Sequence, residues 1–343
     1  MAKKYTSIGG QALIEGIMMK SPEKTAIAVR TPDKSIDISY LEGKSVREKY
    51  KILKLPIIRG VVGFVESMMQ GYKALMISAE KSGFADELDD KPKSEEAVQD
   101  VSADEVKEET NAKPEEKKNN ALLNVVMVVG AVLGVVLALA LFMYLPRLCV
   151  SGFEQLFNTE IKSKVLRSVI EQTLKMTIFV GYVVLVSLMN DIKRVYMYHG
   201  AEHKTIFCYE KGLELTVENV RPQKRFHPRC GTSFMILMIL VSVVLSTLLQ
   251  VIFPSVYSIP WLWTVAKVLM VPLTCGIGFE VLKVCGRFDN IITRIISAPG
   301  MWLQRVTTKE PTDDMIEIAI AALKACEPEV PDVDRTGCCN DNF

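Results

Sequence analysis

The run Cys230–Ala266, CGTSFMILMILVSVVLSTLLQVIFPSVYSIPWLWTVA, holds 37 residues without a single charge. A membrane-crossing helix needs about 20 apolar residues, so this run is too long for one helix, and Pro254 and Pro260 interrupt it. It reads as two spans, Thr232–Ile252 and Trp261–Leu282. The second carries Lys267 close to Trp261 and Trp263, from where its ammonium can snorkel to the interface that indoles prefer. Further back, Ala121–Leu145 gives 25 uncharged residues closed by Pro146 and Arg147. Val169–Met189 is a weaker span, uncharged only over 15 residues, Met176–Asn190, with Glu171 and Lys175 spaced to pair at the membrane edge. The fold class is therefore mainly α: a polytopic membrane protein with four transmembrane helices plus small α+β cytosolic segments.

Positive residues orient the spans. The flank 100–120 has four Lys, 191–230 has eight Lys and Arg, and 283–310 has five. The other side has four in 146–168 and none between Pro254 and Pro260. Seventeen against four places both termini and the 191–230 loop in the cytoplasm. The eight cysteines form no C-x-x-C pair and no secreted disulfide pattern, which suits a mostly reducing location.

The net charge of +1 is the sum of two unlike parts. Residues 85–118 hold 13 acids and 6 Lys, net −7, leaving +8 for the remainder. Those basic residues report orientation, and the bilayer is the expected partner; nothing points to nucleic acid. The expected organisation runs 1–80 as a cytosolic segment, 81–120 as an acidic disordered linker, 121–190 as the first two spans, 191–230 as a cytosolic His/Cys loop, 231–283 as the last two spans, and 284–343 as a cytosolic end. Within the first piece, Thr25–Thr31 and Ser35–Tyr40 alternate about a Pro32-Asp33-Lys34 turn and predict a β-hairpin. Ile57–Ala79 is helical by period, with Arg59, Glu66, Lys73 and Glu80 every seven residues on one polar stripe. Such a helix lies in the membrane interface, packs among the spans, or is an ordinary buried helix. Near the end, Thr312 is placed to cap a helix reaching about Ala325, with Asp313 and Asp314 in its first turn.

The three histidines, His199, His203 and His227, fall within 29 residues. Two belong to His199-Gly200-Ala201-Glu202-His203, an H-x-x-E-H string. On a helix, positions i, i+3 and i+4 share a face, so both imidazoles and the Glu202 carboxylate project together. Two imidazoles can grip a divalent metal, with the carboxylate beside them acting on water. Topology adds His227 and Cys230 just before the third span and Glu280 near the cytosolic end of the fourth. The expected metal set is His199 and His203, completed by His227, Cys230 or Glu280, with Zn²⁺ the expected ion and Glu202 the catalytic base. Plainer readings stand beside it: interfacial histidines, a Glu280–Lys283 pair, and a Cys230 that is only a small residue before a helix. Glu15 is a further carboxylate inside an apolar run, and Gly9, Gly10 and Gly16 read as turn formers, with no phosphate-loop context.

Several strings are longer than chance motifs: Gly9-Gly10-Gln11-Ala12-Leu13-Ile14-Glu15-Gly16-Ile17-Met18-Met19, Tyr198-His199-Gly200-Ala201-Glu202-His203-Lys204-Thr205, Thr216-Val217-Glu218-Asn219-Val220, His227-Pro228-Arg229-Cys230-Gly231-Thr232-Ser233-Phe234 and Thr307-Thr308-Lys309-Glu310-Pro311. Together they resemble the YqhQ family of bacterial membrane proteins. The family is of unknown function and is sometimes labelled a predicted metal-dependent enzyme. The resemblance implies an inner-membrane setting and leaves the reaction open. Two functional classes follow: a metal-dependent hydrolase acting on a membrane-proximal substrate, or a non-enzymatic scaffold or assembly factor contacting other membrane proteins. A transporter is disfavoured, because the spans carry few polar groups and show no inverted repeat.

Overall fold

A computed structural model describes residues 8–41, 46, 50–84, 129, 132–134, 136–159, 161, 163–228, 230–288 and 290–327. Most of the acidic linker and the end beyond Glu327 lie outside the described residues. Four helices are long and apolar enough to cross a membrane: Val132–Leu156, Leu166–Val186, Gly231–Ile252 and Trp261–Cys285. A four-stranded antiparallel sheet joins them, so the mainly α class with a small β element stands.

The chain divides into two compact units. The smaller, residues 90–178, contains the first apolar helix and the start of the second. The first helix does not stop at Pro146, as the sequence predicts. A π-helical turn over Ala140–Tyr144 runs directly into α1 (Leu145–Leu156), so Pro146 lies inside a continuous helix, just past the turn where the hydrogen-bond ladder changes pitch. In α2 (Lys164–Val186), Glu171 pairs with Arg167, four residues before it, and not with the expected Lys175. Arg167 also reaches Glu154 at 2.8 Å and donates to Ser151.

The larger unit comprises residues 1–89 and 179–343. Its sheet is a meander of β1 (Gly9–Leu13), β2 (Gly16–Lys20), β3 (Thr25–Arg30) and β4 (Ile36–Tyr40). The predicted hairpin is the β3–β4 pair. The β1–β2 pair escaped the pattern reading because β2 is buried on both faces, so it reads as an apolar run instead of alternating. Ile17, Met19, Ala26 and Ala28 face one core, Leu13, Met18, Ile27 and Val29 the other. Glu15 occupies the β1–β2 turn at positive φ, where Arg194 clamps its carboxylate at 2.5 Å and 2.6 Å and Tyr198 donates to it.

The second core is closed by α3 (Ile58–Lys81) through Ala74. This helix turns its smallest residues inward, namely Gly60, Gly63, Gly71, Ala74 and Ser78, and leaves Val65, Met68, Met69 and Tyr72 exposed. The first core is closed by α4 (Asn190–Glu210) and by the last helix, Asp313–Cys326. Residues 191–230 are thus not a loop: α4 fills half of them, followed by α5 (Val217–Val220). From Tyr198 to Ile206 every residue of α4 is buried, so no amphipathic period marks it.

The remaining helices are α6 (Gly231–Ile252), α7 (Pro254–Ser258), α8 (Pro260–Leu269), α9 (Val271–Arg287), α10 (Ile291–Thr307) and α11 (Asp313–Cys326). The fourth span is made of α8 and α9, broken at Met270 beside Pro272. Lys267 lies over the Trp263 ring at 5.1 Å, toward the Trp-bearing end of the span. Thr312 precedes α11 in an extended conformation but makes no side-chain cap bond. The capping box belongs to α10, through Asn290 and Thr293, a helix the sequence reading did not separate.

Candidate metal centre

The site is built on α4, whose helical spacing sets His199, Glu202 and His203 on one face as predicted. Cys230 comes to them as the N-cap of α6, where its sulfur accepts from the Thr232 N–H at 3.5 Å. One ligand atom from each of His199, His203 and Cys230 lies within 4.8 Å of the others. His199 Nε2 stands 3.1 Å from Cys230 Sγ, and the two imidazole rings meet edge to face at 4.4 Å.

Backbone carbonyls fix both rings. His199 Nδ1 donates to the Thr307 carbonyl at 2.8 Å, and His203 Nδ1 donates to the Arg225 carbonyl at 2.5 Å. A carbonyl oxygen only accepts, so each Nδ1 carries a proton. In the neutral ring that leaves Nε2 with its lone pair, the tautomer a metal ligand needs.

The strap from α10 to α11 crosses at Gly200, where a Cβ would come within 2.0 Å of the Lys309 carbonyl oxygen. This close approach explains the glycine between the histidines. Gly10 plays the matching part for Glu202. It lies in β1, not in a turn, and a Cβ there would sit 2.9 Å from the Glu202 carboxylate. The Gly10 backbone hydrogen-bonds that carboxylate, yet Glu202 Oε2 is buried with no hydrogen-bond partner. A buried carboxylate oxygen without a partner is costly and marks a place where another group belongs.

The charges follow from this geometry. Burial raises the Glu202 carboxyl, and His199 and His203 offset part of the rise. Burial opposes the charged form of His199, but the Cys230 sulfur outweighs it and holds the imidazole up at about 9. Burial favours the neutral Cys230 thiol, yet His199 and His203 pull it well below the usual thiol range. Without a metal, therefore, the cluster is an imidazolium–thiolate pair.

The other two expected ligands stand outside the group of three. His227 is adjacent, its ring 5.6 Å from that of His203, but its Nε2 faces Glu210 at 3.7 Å and its ring leans on Phe207. Gln304 of α10 fixes the His227 backbone, accepting from its N–H and donating to its carbonyl, both at 2.8 Å. Glu280 belongs to a different contact: Arg59 of α3 grips it with two bonds of 2.7 Å, in place of the anticipated Lys283. Missed by the sequence reading were the carbonyls of Thr307 and Arg225, which residue type cannot reveal, and the parts played by Gly10 and Gln304.

A family described as "Protein of unknown function (DUF1385)" matches residues 55–329. The chain is 33% identical over 314 residues to "Uncharacterized protein YqhQ" of Bacillus subtilis (strain 168), covering 91% of this chain and 89% of that one. The chain belongs to the YqhQ family. No solved structure matches it. The stretch matching DUF1385 contains α4, Cys230 and Thr307, while Gly10 lies before it. The YqhQ family resemblance read from the motifs is thus confirmed, and it carries no assigned reaction.

Proposed function

We propose that His199, His203 and Cys230 bind one divalent metal ion at the cytosolic face of the membrane, and that Glu202 serves there as general base in hydrolysis of a membrane-proximal substrate. The observation that supports this best is the pair of Nδ1–H donors anchored on backbone carbonyls, which leaves each Nε2 for a ligand role, that of His199 beside the Cys230 sulfur. Two imidazoles and a thiolate are a borderline-soft set that suits Zn²⁺, and three protein ligands leave a fourth position open. A bound ion would supply Lewis acidity and lower the pKa of a water at that position. Glu202 is placed to take up the proton through the carboxylate oxygen that has no partner in the protein, and burial keeps that proton held. His227 and Gln304 hold the 225–230 segment that delivers Cys230 and the Arg225 carbonyl.

Metal analysis of the purified protein tests this reading. One equivalent of zinc is expected in the wild type and none in His199→Ala/His203→Ala. A metal-free wild type, or a double variant that keeps its metal, overturns it.

A second reading rests on α3, whose outward Val65, Met68, Met69 and Tyr72 form an apolar surface suited to another membrane protein. In that case the YqhQ fold is a scaffold and the metal is structural. Complementation separates the two. A silent Glu202→Gln with a disabling change on the α3 surface favours the scaffold, and the reverse favours the hydrolase.

A further inference from the structure

The last apolar span ends at Cys285, and α10 begins only six residues later, at Ile291. Its two sides differ sharply. Thr293, Gly300, Leu303, Gln304 and Thr307 are buried, and Gly300 is seated directly on Ser233 in the first turn of α6. The opposite side carries Ile291, Ile295 and Trp302, and Ile292 lies at its margin; each is 65–75% exposed. At about 100° per residue, Ile291, Ile295 and Trp302 fall within an arc of about 40°, roughly 150° from the centre of the buried face. Arg294 and Arg305 are exposed and share one flank of this stripe.

A soluble helix with this pattern would be upside down, because its largest apolar side chains face outward. The surroundings identify the medium. One end of α10 is tied to the cytosol-proximal end of the fourth span, and its middle rests on the first turn of the third. The helix is therefore level with the ends of two apolar helices, where acyl chains give way to headgroups. Trp302 on the apolar stripe and two arginines beside it are the side chains that such a boundary selects, the arginines facing lipid phosphates.

We infer that α10 is an in-plane membrane helix, its Ile291–Ile295–Trp302 stripe immersed in the upper acyl region and its inner face supporting the histidine cluster. The inner face carries both Gln304, which holds His227, and the Thr307 carbonyl, which orients His199. The helix that touches lipid thus also shapes the site, and the cluster sits at headgroup depth. This holds whether or not the cluster binds a metal, so its test does not depend on metal content.

Fluorescence quenching in phosphatidylcholine nanodiscs provides that test, comparing the full-length wild type with Trp302→Phe. The ring is exposed, so the substitution leaves the packing of Trp261 and Trp263 in place. The wild type is expected to lose fluorescence to lipids brominated near the glycerol end of the acyl chain. Trp302→Phe should lack on the order of one third of that quenched signal, as one of three indoles. Aqueous iodide should leave the Trp302 contribution unchanged. Strong iodide quenching would show a solvated stripe, and a Trp302 contribution insensitive to both quenchers would show a stripe covered by protein, including a second copy. Quenching strongest for lipids brominated near the terminal methyl would show a spanning helix. Each of these three results overturns the inference. A photoreactive benzoylphenylalanine in place of Ile295, on the stripe itself, gives an independent readout in native membranes: a lipid adduct supports the inference, and a protein adduct alone refutes it.

Discussion

Two polar clusters near the membrane ends of the helices were built by the same device and ended differently. Arg59 and Glu280 stand 221 residues apart in sequence, and the fold joins them in a two-bond ion pair. His199, Glu202, His203 and Cys230 are more deeply buried than that pair, yet their needs are not met internally. Two imidazoles crowd one sulfur, and one carboxylate oxygen has no partner. A polar group that finds its complement on folding is explained by stability. A buried cluster that sets an unpartnered carboxylate oxygen beside two imidazoles and a thiol is one that could hold a metal.

Removing ligands should break this contrast most completely. Cys230→Ser or His203→Ala is expected to take zinc occupancy from one equivalent toward zero, whereas Glu280→Gln should leave it intact, both read by metal analysis. Next in size is Gly10→Ala, which drives a methyl against the Glu202 carboxylate. Overpacking of this kind costs about 1–3 kcal/mol. Glu202→Ala in the same chain should recover most of that loss in denaturant titration, and simple additivity of the two costs would show that the contact is not felt. Opening the Arg59–Glu280 pair comes third. The pair is partly exposed, so Glu280→Gln should cost about 1–2 kcal/mol, between the surface and buried cases. Replacing both partners by methionine should be milder than either single change.

The remaining effect is graded and not all-or-none: the response to pH. Metal binding needs His199 neutral and Cys230 as thiolate, and His199 is held protonated up to about 9. Below that pH each binding event must expel a proton, so affinity rises with pH, by about tenfold per unit. Above about 9 the rise should level off. Calorimetry in buffers of different ionisation enthalpy reads the released proton directly, and an affinity independent of pH between 6.5 and 8.5 (roughly the accessible window) would deny the imidazolium–thiolate pair.

The sequence was most transparent where one physical demand acted alone. The third span was bounded to within a residue, because lipid asks only for apolar length and Cys230 supplies a cap. The shared face of His199, Glu202 and His203 was likewise legible, since it follows from helix geometry once α4 exists. Legibility failed where two environments met on one element. β2 is apolar toward both cores, so its alternation vanished, and α10 buries a small, mostly polar face while exposing its isoleucines and Trp302, the reverse of the pattern that announces a helix. Glu280 was assigned to the cluster by topology alone, and only the fold could reveal Arg59 as its partner. The carbonyls of Thr307 and Arg225 are the clearest case, because every residue has one and only position makes it a tautomer lock.

The covering of the sheet also sets an order of assembly. β2 and β3 lie within the first 30 residues, yet one of their two faces rests on Ile316 and its neighbours in α11, and Arg30 donates to the Asp314 carbonyl. Chains emerge from the ribosome at about 5–20 residues per second, so strands made first wait roughly 15–60 s for the helix that seals them. All the apolar spans are synthesised during that wait. The N-terminal strands therefore spend membrane insertion with one apolar face uncovered, and α11 must return to strands made long before it.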